Sequence, residues 1–112
     1  MFFRKTMRTK KEIKEDVDFQ IRYSGKLWRA FQRWKMKDKI AEELSFHLAE
    51  LAYFSPKYKK LIDVMMSKKT EKEFIEALSD IESELFLKHE VEFHMVPAQK
   101  LIGAFIKKAE DR

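Results

Sequence analysis

The chain contains no cysteine. That excludes disulfides, thiolate metal sites and cysteine nucleophiles, and it suits a reducing compartment. Only two glycines and two prolines occur in 112 residues. A many-turned all-β fold needs more of both, so the expectation moves to helices. Gly25 and Gly103 are too few and too far apart to build a glycine-rich phosphate loop. No apolar run approaches the ~18–20 residues of a membrane-spanning helix. Met1, Phe2 and Phe3 precede Arg4 and Lys5 and are not followed by the apolar core of a signal peptide. A cytoplasmic protein with no membrane span is expected. No serine stands in a nucleophile motif, so an enzyme is not expected, and no cofactor is implied.

What is present is a core. Hydrophobic residues make up 45% of the chain, with ten phenylalanines among them. A chain this long forms one domain that buries roughly 65% of its unfolded surface. The patterning predicts an all-α protein, an irregular bundle of four to five helices, two of them long. Residues 1–8 lack periodicity and read as a mobile basic N-terminal arm; 9–112 read as a single helical domain. Thr9 and Glu12 form a capping box, which predicts a first helix over Lys10–Tyr23 with Ile13, Val17 and Ile21 as its apolar stripe. Gly25 suits a left-handed helix end. A second, long helix is predicted over Lys26–Tyr53. It carries two stripes: Leu27, Phe31 and Trp34, then Ile40, Leu44, Leu48 and Leu51, rotated by about 100°. The shift falls between Lys35 and Asp38. Either the helix breaks there with Asp38 as a fresh N-cap, or it stays straight and buries two faces. Ser55-Pro56 starts a third helix over Pro56–Met66. A second capping box at Thr70 and Glu73 starts a fourth over Glu71–Met95, the other long one, with His89 in its apolar stripe. Pro97 either kinks that helix or starts a fifth, over about Pro97–Glu110.

Charge is unevenly spread. Residues 1–39 hold thirteen Lys/Arg against five Asp/Glu, a net +8; residues 40–112 hold eleven against fourteen, a net −3. The basic half interleaves cations with Leu27, Trp28, Phe31 and Trp34. Helically spaced aromatics ordinarily mark a core, so Phe31 and Trp34 are expected inside. The core does not account for the cations. Arg4, Lys5, Arg8, Lys10, Lys11, Lys26, Arg29, Arg33, Lys37 and Lys39 are the candidate nucleic-acid-binding residues, acting on phosphates because no base-reading motif is present. The same face would also suit an anionic membrane surface. The alternative to nucleic acid is a protein-interaction module or homodimeric scaffold that meets an acidic protein surface. Trp28, Met36, Phe46 and Phe54 lie off both stripes of the second helix and are the expected homodimer interface.

A metal-binding bundle is the third reading. His47, His89 and Glu43 would be its ligands. The pairs Glu43/His47 and Glu90/His94 have four-residue spacing, whereas di-iron bundles repeat Glu-x-x-His on two helices. His89, from its place in the apolar stripe of the fourth helix, is expected to be buried and free of metal.

Overall fold

The computed structural model describes residues 9–87 and 95–111. Among them the fold is all-helical: α1 Lys10–Gln32, α2 Lys39–Phe54, α3 Pro56–Met66, α4 Glu71–Leu87 and α5 Met95–Glu110. The expected basic arm at 1–8, with Arg4, Lys5 and Arg8, lies outside the described residues, as does His89.

Several boundaries follow from local chemistry as expected. The Glu12 amide donates to Thr9 Oγ1 at 3.1 Å and the Thr9 amide to Glu12 Oε1 at 2.9 Å, so the first capping box is complete. Ser55 caps α3 through its hydroxyl, with Pro56 at the first helical position. The Glu73 amide donates to Thr70 Oγ1 at the start of α4.

The first break falls elsewhere than expected. α1 runs straight through Gly25, which has no positive φ, and at 23 residues it is the longest of the helices as described. The chain turns instead at Lys35, the one non-glycine described residue with positive φ, 62°. There the Lys35 amide reaches the Gln32 carbonyl at 2.9 Å and the Met36 amide reaches the Phe31 carbonyl at 3.1 Å. These are the paired bonds of a Schellman ending, with Lys35 in the left-handed position that glycine usually takes. Such an ending favours an apolar residue just beyond the turn, and Met36 fills that place: it is 7% exposed and part of the core. Met36 is thereby removed from the expected interface. Asp38 then caps α2, its carboxylate accepting from the Ala41 amide at 2.9 Å. The long predicted second helix is thus divided between α1 and α2. The fourth helix is described as far as Leu87; the rest of its expected span, up to Met95, lies outside the described residues, and Met95 itself opens α5. A lysine in the left-handed region costs roughly 1 kcal/mol that glycine does not. Lys35→Gly is expected to raise unfolding free energy by up to that amount, as an upward shift of the urea midpoint at unchanged slope.

α2 is the hub. Ala41, Leu44, Ser45, Leu48, Ala49, Leu51 and Ala52 are all buried, a wide arc that packs against α1, α3 and α5 at once. α4 closes the far side between α3 and α5. α1 and α2 form an antiparallel hairpin, with Phe19 of α1 against Tyr53 of α2 at 5.4 Å. α1 buries Tyr23, Leu27, Ala30 and Phe31 rather than its isoleucine–valine stripe. Ile13, Val17 and Ile21 are 47%, 48% and 61% exposed.

Candidate nucleic-acid interface

Lys26, Arg29 and Arg33 fall at i, i+3 and i+7 of α1, so they share one face over two turns. That face looks across to α3. The two helices do not pack closely; side chains bridge them and leave an open groove of about 500 Å3 lined by Lys26, Arg29, Ala30, Arg33, Asp63, Met66 and Ser67. Arg33 closes one end. Its Nη2 donates to the Met66 carbonyl at 2.7 Å, a helix-terminal oxygen with negative partial charge. The guanidinium also lies 5.3 Å from the centre of the Trp34 ring. Lys26 and Arg29 are exposed and form no ion pair with a described residue.

The opposite end is set by Asp63. It accepts a hydrogen bond from the Tyr23 hydroxyl and another from Lys59 Nζ at 2.9 Å. Lys59 in turn lies over the Tyr23 ring. Partial burial pushes the Asp63 carboxyl up, but the bonds from Tyr23 and Lys59, with the charges of Lys59 and Lys26, outweigh it and hold the group below its ordinary value of 3.8. Burial, and then the bond to the Asp63 carboxylate, pushes the Tyr23 phenol well above its ordinary value. The consequences for stability have opposite signs. A depressed carboxyl stabilises the fold fully above its unfolded pKa, and that contribution is lost as pH falls through the folded value. A raised phenol stabilises the fold below its ordinary value of 10.0, and that contribution is lost above it. The urea midpoint is therefore expected to be flat from about pH 5 to about pH 9 and to fall on both sides. Asp63→Asn should flatten the acid limb and lessen the alkaline one, where the burial of Tyr23 remains. Equal limbs in variant and parent would remove this pair as their cause.

The structure brings together only part of the expected cationic set. Lys10 and Lys11 lie at the opposite end of α1. Lys37 lines a different depression, of about 400 Å3, with Lys35, Asp38 and Lys108, where Asp38 is ion-paired to Lys108. Lys39 is exposed in the first turn of α2. Cations from the acidic half of the chain stand next to lining residues: Lys59 is ion-paired to Asp63, and Lys68 and Lys69 follow Ser67 in the sequence. Counting charge by chain halves missed them; the runs Lys59-Lys60 and Lys68-Lys69 were the available signal.

Trp28 is half-buried, and Phe46 and Phe54 are 55% and 51% exposed. Ile21, Trp28, Glu42 and Phe46 rim a slot of about 340 Å3 between α1 and α2, floored by Ser24, Gly25 and Ser45. Glu43 is exposed and His47 half-buried, one turn apart on α2. Among the described residues, no three His, Cys, Asp or Glu gather as a metal site. None of the described helices is long and apolar enough to cross a membrane. The chain matches no protein-family model, no curated protein and no solved structure.

Proposed function

We propose that this is a non-enzymatic, cytoplasmic nucleic-acid-binding protein that holds the phosphate backbone in the groove between α1 and α3. The observation that carries this reading is the pair Lys26 and Arg29, exposed and without an ion pair among the described residues, beside Arg33 on a rigid helix. A helix fixes the backbone of such cations one turn apart, so neighbouring phosphates can be neutralised without ordering the main chain. Trp28, Phe31 and Trp34 do not serve as stacking platforms in this reading, because Phe31 is fully buried and the two tryptophans pack against the core. Recognition is then by charge and is weakly sequence-dependent. The test is a titration of labelled single-stranded DNA, duplex DNA and RNA at low and moderate salt. Absence of binding to all three at 50 mM salt ends this reading. Capture of an acidic protein instead, by the same cations, would transfer the groove to the interaction-module alternative.

A second reading, self-association, is supported by a different observation. Five of the six exposed large hydrophobic side chains among the described residues, Ile13, Val17, Ile21, Phe46 and Phe54, lie on α1 and α2. Exposed apolar area of this extent on a small domain marks an interaction surface.

A further inference from the structure

The apolar strip on α1 is not uniform along its length. Ile13, Val17 and Ile21 recur at four-residue steps, and Trp28 continues the strip on the helical wheel. Tyr53, the second-last residue of α2, is level with Phe19, so the first turns of α1 run on past the end of α2. That overhang presents Ile13 and Val17, both about half exposed, as knobs. The other end of the strip is a hole. Ser24, Gly25 and Ser45 are small side chains at the α1–α2 seam, and they leave the slot between Ile21, Trp28 and Phe46 open. Around Gly25 there is room: a Cβ there would meet only Arg29 Nη1, at 3.6 Å.

Knob and hole are related about the middle of the strip, and so are the charges beside them. Lys10 and Lys14 lie on the overhang; Glu42 lines the slot, with Glu43 next to it in the chain. All four are exposed, and none is in an ion pair with a described residue. Asp18, the acid on the lysine margin, lies closer to the middle. A surface that complements itself under a half-turn is what a two-fold interface requires, since each contact then occurs twice.

We propose that the slot is occupied by a second copy of this chain: α1 packs antiparallel on α1 of that copy about a two-fold axis at Ile21, and Val17 of each enters the Ser24–Gly25–Ser45 slot of the other. In this register Val17 lies opposite Gly25, which permits close approach of the two helices, and Lys14 lies opposite Trp28, beside Glu42. The face is large enough. A helix of this length spans about 33 Å, and two helices side by side span roughly 20 Å. That gives on the order of 600 Å2 on each copy, at the lower end of specific interfaces. The pairing rests on the self-association reading and gives it a register.

The chain has no cysteine of its own, which makes the register directly testable. Ile21→Cys places a single thiol on the axis, and Lys60→Cys, exposed on α3, is the control. Light scattering from micromolar to millimolar protein is expected to show a dimer. Mild oxidation is expected to cross-link Ile21→Cys at least roughly tenfold faster than the control, because a disulfide needs Cα atoms within ~7 Å. Gly25→Leu, which fills the slot from within, is expected to shift the equilibrium to monomer while circular dichroism stays unchanged. Lys14→Glu and Glu42→Lys should each weaken the dimer and together restore it. A dimer in which Ile21→Cys cross-links no faster than Lys60→Cys overturns the pairing and leaves self-association standing. A monomer at every concentration overturns both.

Discussion

The Phe31→Ala variant is expected to lose about 3–5 kcal/mol of unfolding free energy, read as a fall in the urea midpoint at unchanged slope. Phe31 is fully buried and sits where three helices meet. Its ring lies edge-on to Phe74 of α4 at 5.6 Å and tilted against Phe105 of α5 at 4.9 Å. Its carbonyl accepts the Met36 amide that ends α1. Truncation removes the transfer free energy of the ring and leaves a cavity. The helices around it relax only in part into that space, because α5 is also packed on α2 and α4. Native domains keep only about 5–15 kcal/mol in total, so this single change brings the protein near its threshold. Phe46→Ala removes the same ring from a side chain that is 55% exposed. At dilute concentration it is expected to change stability by no more than about 0.5 kcal/mol. Equal losses in the two variants would place the core elsewhere.

Nucleic-acid affinity is expected to fall by roughly two to three decades between 50 and 200 mM salt if about five phosphates are neutralised, since each releases its condensed counterions. The cations to remove are Lys26 and Arg29. Both are exposed, and glutamine in their place keeps the helix propensity and leaves no charge. The double variant Lys26→Gln/Arg29→Gln should bind more weakly at every salt concentration, with a slope of log affinity against log salt lower by about 2. Its urea midpoint should move little. Arg33 is a poorer choice although it shares the face, because its guanidinium joins α1 to the last carbonyl of α3 and its loss would also change the fold. An unchanged salt slope in the double variant would show that the groove is not where phosphates bind.

The parts of the fold legible in the sequence were those encoded within a few residues. Thr9 with Glu12, Ser55 with Pro56, and Asp38 ahead of Ala41 each place an oxygen where an unpaired amide needs one, and each cap formed. The break between α1 and α2 was legible only as one of two possibilities. A glycine is no more than permission to leave the helix, and Gly25 did not use it. Lys35 left the helix without that permission because burying Met36 and capping with Asp38 repaid the strain, and both depend on tertiary packing. The same holds for Ile13, Val17 and Ile21, whose spacing marks an apolar face and does not say what covers it. Lys26, Arg29 and Arg33 were legible as one face because a helix relates them. Their neighbours across the groove, Asp63, Met66 and Ser67, were not, because only tertiary packing brings that distant segment opposite α1.

The position of α5 in the bundle has a consequence for how the chain acquires its structure during synthesis. α5 is the last of the described helices, and Phe105 is one of the aromatic rings packed on Phe31. Translation proceeds at about 5–20 residues per second, so the span from Phe31 to Phe105 takes several seconds to emerge. Throughout that interval α1 and α2 can pair through local contacts, while the ring at the centre of the future core has one side open to water. Exposed hydrophobic surface of this kind is prone to aggregation, until α5 arrives to close it.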